Sequence, residues 1–541
     1  MFHSRFRSRA SARPDAGPRG PRAVMTVAAR WPWPRYATLA AALSLTACTV
    51  GPAAWQPAPQ APADWQQWRS GDASLREAAV LGAQAGATPI EQAAPFQDPV
   101  LQALQARVLA ANPDLQSAAL RFAQARMQRL MSAAQRGPSV GVAGGVSRQR
   151  QSETGSATRL VDAVAPPGSR DELVSVLAEP HNVYEAGFDA SWELDLWGRV
   201  RRTIESADAG VAAAQATQAQ ARLAVLAELA RAYVELRGVQ VQADLLQQDL
   251  AASQESLDLL QARAAAGLID DFDVQRQRTL VEDLRARLPD LRAQQARASG
   301  AIAQLAGQPP GVLDGLLAAP SGAGGAAVGE APLSLDAGLP SELALRRPDI
   351  QAALARLHGA TADVGVAMAD LYPRVTLGAS FGLETVASRH ADDWGSRQWR
   401  IGPSLSLPLF DQGRRRAAIE LRRLQEQEAA VAYQRTVLDA WHEIDAALAN
   451  YGAERRRHEA LQRKLEASEV ADMLARAGYD NGLTDFLPAL DARRALIQAR
   501  GETARSATAL AVQRVALRKA LGGTGDWAPT RLAPLSQLDT P

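Results

Sequence analysis

Hydrophobic positions along this chain change period, and they do so in the same order twice. Near Asp98 to Arg136, Leu101, Leu104, Val108, Leu115 and Phe122 recur at helical spacing, and Gly137-Pro138 closes that helix. Over 139–147 the period drops to two, with Val140, Val142 and Val146 alternating with small and polar residues. After a polar loop, Arg148–His181, a second alternation over 183–194 sets Tyr184, Phe188 and Trp192 on one face and Glu185, Asp189 and Glu193 on the other. Helical spacing then returns from Arg199 to Ala265, breaks at Ala266–Asp270 and resumes to Leu305.

The second copy follows at fixed offsets. Gly198 and Gly413, Gly267 and Gly482, and Gly307 and Gly522 are each 215 residues apart. Upstream, Asn112-Pro113-Asp114-Leu115 recurs as Arg347-Pro348-Asp349-Ile350, and Pro138 as Pro373, at 235. The first copy therefore carries 20 extra residues between Pro138 and Gly198. Such self-similarity marks a tandem duplication. Its strands fall at about 375–384 and 398–409, where Phe381, Trp399, Leu407 and Leu409 sit on the apolar face.

Strands of about ten tilted residues, apolar on one face and small or polar on the other, are long enough to cross a bilayer. A soluble sandwich gives the same alternation with its apolar face inward. Aromatic residues at strand ends (Tyr184, Trp192, Trp399, Phe410) favour the barrel. Four strands cannot close one, and open edges in lipid leave backbone groups unpaired, so the chain must oligomerise.

The helix Arg199–Ala265, at 67 residues, reaches roughly 100 Å. Val239, Ala243, Leu246, Leu250, Ser253, Leu257 and Leu260 keep coiled-coil spacing, as do Val281, Leu284, Leu288 and Leu291 on the returning helix. The two should pack antiparallel, with a kink at Pro289. The segments 98–136 and 271–305 together match the long helix, so one from each side should pair with it along its whole course. The expected organisation is an N-terminal extension and signal (1–47), a strap (48–97), a first repeat (98–307), a Pro/Gly/Ala-rich linker (308–339), a second repeat (340–522) and a tail (523–541).

Composition adds location. The 59 basic and 58 acidic residues leave a net charge of +1, which offers nothing to nucleic acid. The single cysteine, Cys48, rules out disulfides within the chain. It ends Leu45-Thr46-Ala47-Cys48, after the mostly apolar run Leu39–Leu45 flanked by Arg30 and Arg35, which is the layout of a secretory signal. That ending resembles a bacterial lipoprotein box, which implies lipidation of Cys48. Thr49 in the next position implies sorting to the outer membrane. Met25 is a candidate start, because residues 1–24 lack signal character.

Leu339-Pro340-Ser341-Glu342-Leu343-Ala344-Leu345-Arg346-Arg347-Pro348-Asp349-Ile350 resembles the outer membrane efflux proteins, as do Cys48–Pro52, Trp192–Arg199 and Gly482–Arg494. These proteins are similar to TolC and include a NodT-type lipoprotein branch. The resemblance implies a mainly α fold with a transmembrane β-barrel portion. In that arrangement duplicated α-hairpins form a trimeric α-barrel, and four strands per subunit form a shared twelve-stranded barrel. It implies a homotrimer in outer membrane lipid, extending into the periplasm of a Gram-negative bacterium. The partners implied are a periplasmic adaptor (membrane fusion protein) and an inner-membrane transporter of the resistance–nodulation–division (RND) type. The duct would be passive, for drugs or other small toxic compounds. A duct for type I protein secretion and a lipid-anchored coiled-coil scaffold remain the alternatives.

Asp270, Asp271 and Asp485 at the helix–helix turns are partly explained by capping. The resemblance implies polar closure of a tunnel mouth there and maps it onto Asp273, Tyr479 and Asp491. Pro488 and Thr484 depart from the family's charged gate positions. An Asp491 ring would constrict the mouth and attract cations. Gly198-Arg199 and Gly413-Arg414 mark strand–helix corners, a structural role. Gly378–Gly382 spells a nucleophile elbow but lies in a strand, the six histidines lack ligand spacing, and Met127 with Met131 reads as core filling. No catalytic residue, cofactor or metal site is expected.

Overall fold

The computed structural model describes residues 49–57, 98–319 and 347–522, except 167, 388 and 390–392. Cys48 and its signal, Met25, the strap beyond residue 57, residues 320–346 and the tail from 523 lie outside the described residues.

Each landmark glycine answers a backbone requirement. Gly198, Gly267, Gly307 and their counterparts Gly413, Gly482 and Gly522 all have φ between 64 and 86°, the left-handed region that side chains with a Cβ avoid. Gly198 and Gly413 open the two long helices, α5 (Arg199–Ala265) and α9 (Arg414–Asp480). Gly267 and Gly482 end them: Leu268 N–H donates to Arg263 O at 3.0 Å and Leu483 N–H to Gly478 O at 2.8 Å, closing the helix ends with a reversed turn. Gly307 and Gly522 end the returning helices, α6 (Asp271–Leu305) and α10 (Phe486–Ala520). α6 runs on through Pro289, which is exposed, and the Arg285 carbonyl that Pro289 leaves without an N–H partner belongs to an exposed residue as well.

The single helix expected over 98–136 is two, α1 (Pro99–Ala111) and α2 (Pro113–Ala134). Asn112 between them is extended (ψ 124°), as a residue before proline prefers. Its side chain accepts from Leu115 N–H at 3.0 Å and donates to Leu305 O at 2.8 Å, so α1–α2 is tied to the end of α6. In the second copy Arg347, the counterpart of Asn112, precedes α8 (Pro348–Ala369) and donates to Ala520 O at 2.6 Å. Ala520 is the counterpart of Leu305, so the same joint is made twice with different chemistry.

The strands β1 (Ser139–Gln149), β2 (His181–Leu194), β3 (Arg374–Thr385) and β4 (Arg397–Ser406) form one antiparallel sheet in the order β1-β2-β3-β4. β4 stops short of the expected residue 409, since Pro408 cannot donate to a ladder. Leu407, Leu409 and Phe410 therefore lie beyond it. The polar loop between β1 and β2 contains two short helices, α3 (Ser156–Val164) and α4 (Arg170–Leu177).

Helix packing repeats the sheet order. Nearest the sheet, α2 packs on α5, α5 on α8 and α8 on α9. Toward the far tips, α6 packs on α5, α5 on α10 and α10 on α9, so α5 is covered first by α2 and then by α6. Where these layers meet, at the waist, Leu104, Leu229, Tyr233, Leu236, Ile302 and Leu313 form the largest buried cluster among the described residues. Each such side chain contributes about 1.5–3 kcal/mol by burial. A one-turn helix, α7 (Asp314–Leu317), adds Leu317 to it.

Candidate channel wall and periplasmic mouth

The sheet register puts the apolar positions of all four strands on one face. Val142 pairs with Phe188, Phe188 with Phe381, and Phe381 with Trp399; the next row on that face is Val140, Ala190, Ala379 and Ile401. Much of this face is bare: Val142 is 74% exposed, Trp399 73% and Ile401 66%, while Ala190 and Ala379 on the inner strands are half-buried. The opposite face carries Gly141, Asp189, Ser380 and Arg400 in register. An apolar outside and a small, polar inside is the pattern of a strand wall between lipid and water, not of a sandwich. Ser380 sits within β3, which removes the nucleophile-elbow reading.

At the first strand–helix corner Arg199 clasps Glu193 with two hydrogen bonds of 2.8 Å, and this bond to Glu193 raises the Arg199 pKa. Asp195 accepts the Val200 and Arg201 N–H groups, both at 2.9 Å, capping α5. Trp197 stacks on Tyr372 at 5.0 Å and donates to Pro373 O at 2.8 Å, which joins the two copies here. Thr49 and Val50 lie on the same corner. Val50 N–H donates to Trp197 O at 3.2 Å, and Arg202 donates to Val50 O and Gly51 O, both at 3.3 Å. At the second corner Arg414 is exposed, and Arg415 makes the contacts instead, to Asp370 O and to Asp411 at 3.3 Å.

At the tips, Asp270 caps α6 through Phe272 N–H at 3.3 Å. Asp273 stands half-buried in the first turn of α6 and does not bond to Tyr479. The group that does is Arg263, whose Nη1 donates to the Tyr479 hydroxyl at 3.2 Å with the guanidinium 5.6 Å from the ring centre. Phe486 meets the same ring edge-on at 5.4 Å. Asp491 lies exposed on α10, 3.9 Å from Arg494.

The outer membrane efflux protein pattern matches this chain over residues 104–308 and 339–523, both repeats. The chain belongs to that family. The outer membrane protein OprJ of Pseudomonas aeruginosa is 32% identical over 489 residues, 90% of this chain and 95% of that one. The toluene efflux pump outer membrane protein TtgF of Pseudomonas putida is 29% identical over 91% of this chain and 97% of its own length. The solved outer-membrane channel OprN superposes with a TM-score of 0.75 at 33% identity, covering 89% of this chain and all of that one. Like these members of the outer membrane efflux family, the chain is an outer membrane channel that extends into the periplasm, with a TolC-like fold.

Against that family fold, sequence reading missed two features. Arg263 had no signal in the repeat, because its counterpart at 215 is Gly478. The other is a buried ionic link between the two hairpins. Asp249 on α5, 3% exposed, meets Arg493 at 3.3 Å and Arg500 at 3.2 Å on α10, and Asp472 of α9 is 3.6 Å from Arg493. The arginines are seven residues apart, one heptad, which was the available clue. Met127 and Met131 do not fill the core: they are 45% and 72% exposed on α2, the edge helix.

Proposed function

We propose that three copies close into one passive duct, the exit channel of a tripartite efflux pump that carries small toxic compounds. One observation carries this reading: the sheet and the helical wall end in matching unpaired edges. β1 and β4 are the sheet's edge strands, and α2 and α9, continuous with them in the chain, are the edge helices. Both edge helices expose apolar side chains at similar heights. Met131 is about one turn from the sheet end of α2 and Leu421 about two turns from that of α9, and Leu120 and Val431 lie farther along. Joining β4 and α9 of one copy to β1 and α2 of the next satisfies both edges at once.

An oxidised Met131→Cys/Leu421→Cys protein should run as a covalent trimer and should conduct in planar bilayers. A stable monomer without a pore would sink the reading. A periplasmic adaptor and an inner-membrane RND-type transporter complete the pump, consistent with the efflux-pump names of relatives such as TtgF. Chemistry stays with the transporter, and the duct is not an enzyme. A lipid on Cys48 fits the way Thr49 and Val50 are fastened beside the strand–helix corner. Asp273, Tyr479 and Asp491 belong to the periplasmic gate, with Arg263 and Arg494 as their basic neighbours. Asp491→Ala should raise single-channel conductance by removing a constricting ring; an unchanged value excludes this residue.

A further inference from the structure

A cavity of about 420 Å³ opens between α5, α9 and α10, on the tip side of the waist core, and nothing in the duct reading uses it. Val234, Val241, Leu245, Leu465 and Leu510 supply its apolar wall. The helices are pinned beside it, since a Cβ on Gly238 would stand 2.1 Å from Thr508 Oγ1. The small Ala504 and Ala507 leave the space open.

Three guanidiniums line this apolar space. Arg500 is compensated by Asp249 at 3.2 Å and Glu469 at 3.8 Å. The other two have no carboxylate partner among the described residues. Arg237 donates to three neutral acceptors: the Tyr233 hydroxyl at 3.0 Å, Gln240 Oε1 at 2.8 Å and Ala318 O at 3.0 Å. Asp98 accepts from that same hydroxyl. Arg514 is barer still, with a buried Nε that has no hydrogen-bond partner. Arg514 as a whole is half-buried, but leaving its buried Nε–H without an acceptor is costly, and a ligand that supplies one regains that cost. A neutral apolar ligand would leave Arg514 as it is, and a cation would be repelled.

We propose that this cavity binds an amphipathic organic monoanion, a medium-chain carboxylate in chemical class. Arg514 and Arg237 hold the acid group, and the chain lies along Val241 and Leu245. The volume falls within the ordinary range of small-ligand pockets, about 300–1,000 Å³.

The test uses the full-length protein in phosphatidylcholine nanodiscs, with 11-(dansylamino)undecanoate as a fluorescent probe. Saturable binding should be displaced by dodecanoate and not by dodecanol or dodecyltrimethylammonium. Arg514→Gln should weaken binding about tenfold or more, the worth of a charge-assisted hydrogen bond. Arg514→Lys should restore part of it, and Ala507→Trp should abolish it by filling the space. Conductance should be unchanged in all three, which separates this site from the duct. Absence of saturable binding, equal displacement by the cation, or wild-type affinity in Arg514→Gln would each overturn the proposal.

Discussion

Replacing Arg347 by methionine should loosen the waist of the second repeat and leave the first intact. Arg347 is 8% exposed and makes four hydrogen bonds: to Asp349 at 3.1 and 2.7 Å, to Glu443 at 2.6 Å and to Ala520 O at 2.6 Å. Burial alone would lower its pKa, yet the two carboxylates leave it raised, so the charge is held in place. Methionine keeps the stem and removes every donor. Breaking a fully buried pair costs about 3–5 kcal/mol. The Glu443 side chain is 42% exposed and can rehydrate, which takes its share to within about 1 kcal/mol. Asp349 keeps one hydrogen bond, from Ile350 N–H at 2.9 Å, while the bare Ala520 carbonyl costs about 1–3 kcal/mol.

The net loss for Arg347→Met is about 2–4 kcal/mol. At the middle of that range, amide hydrogen exchange at the start of α8 and the end of α10 should speed up by roughly two orders of magnitude. Exchange around Asn112 and Leu305 should stay as it was. Arg347→Lys should recover less than half of the loss, because an ammonium cannot reproduce the two-pronged contact with Asp349. Unchanged protection in Arg347→Met, or full recovery with lysine, would refute this account of the joint.

Tyr233→Phe should cost about 1–2 kcal/mol, because the buried hydroxyl donates to Asp98, which caps α1, and accepts from Arg237. Burial, then the bond to Asp98, pushes the Tyr233 pKa up to about 12. Its stabilisation is thus present below the ordinary tyrosine value of about 10 and lost as pH rises through 12. Melting curves of wild type and Tyr233→Phe should converge over that interval. Lys464, on α9, bonds to Glu502 of α10 at 2.7 Å and lowers the Glu502 pKa, with help from Gln498. That contribution is present above about pH 4.3 and disappears as pH falls through the lowered value; Lys464→Met should erase this acid dependence in exchange of α10. Gly198→Ala should destabilise more than Gly413→Ala in thermal melts. Both strain φ, at about 1 kcal/mol, but only at Gly198 does the new Cβ press on Thr49, at 2.9 Å.

The repeat was legible because its landmarks are glycines that no other residue replaces without strain, and because period-two strands alternate with long 3.6-period helices. Tyr184, Phe188, Trp192, Phe381 and Trp399 all lie on the expected face. The break at Asn112 was less visible, since apolar spacing continues across it and only Pro113 betrays the change of backbone. The helices α3 and α4 hid in a polar stretch with little periodicity. At the mouth, the sequence offered acids near a turn, and capping accounts for Asp270. Which cation met Tyr479 depended on how α5 and α9 lie against one another, a tertiary relation that spacing within one helix cannot express. Asp249 was missed for a similar reason, because its partners sit 244 and 251 residues away.

Strand order and helix order coincide, and each strand runs directly into, or out of, the helix that shares its place. The wall is therefore built of four staves, none of which crosses another between the outer face and the waist. A pull on one helix loads its own strand before any neighbour. Beyond the waist the staves re-pair, with α5 passing from α2 and α8 to α6 and α10, so the tips are held by a different set of contacts from the wall above them.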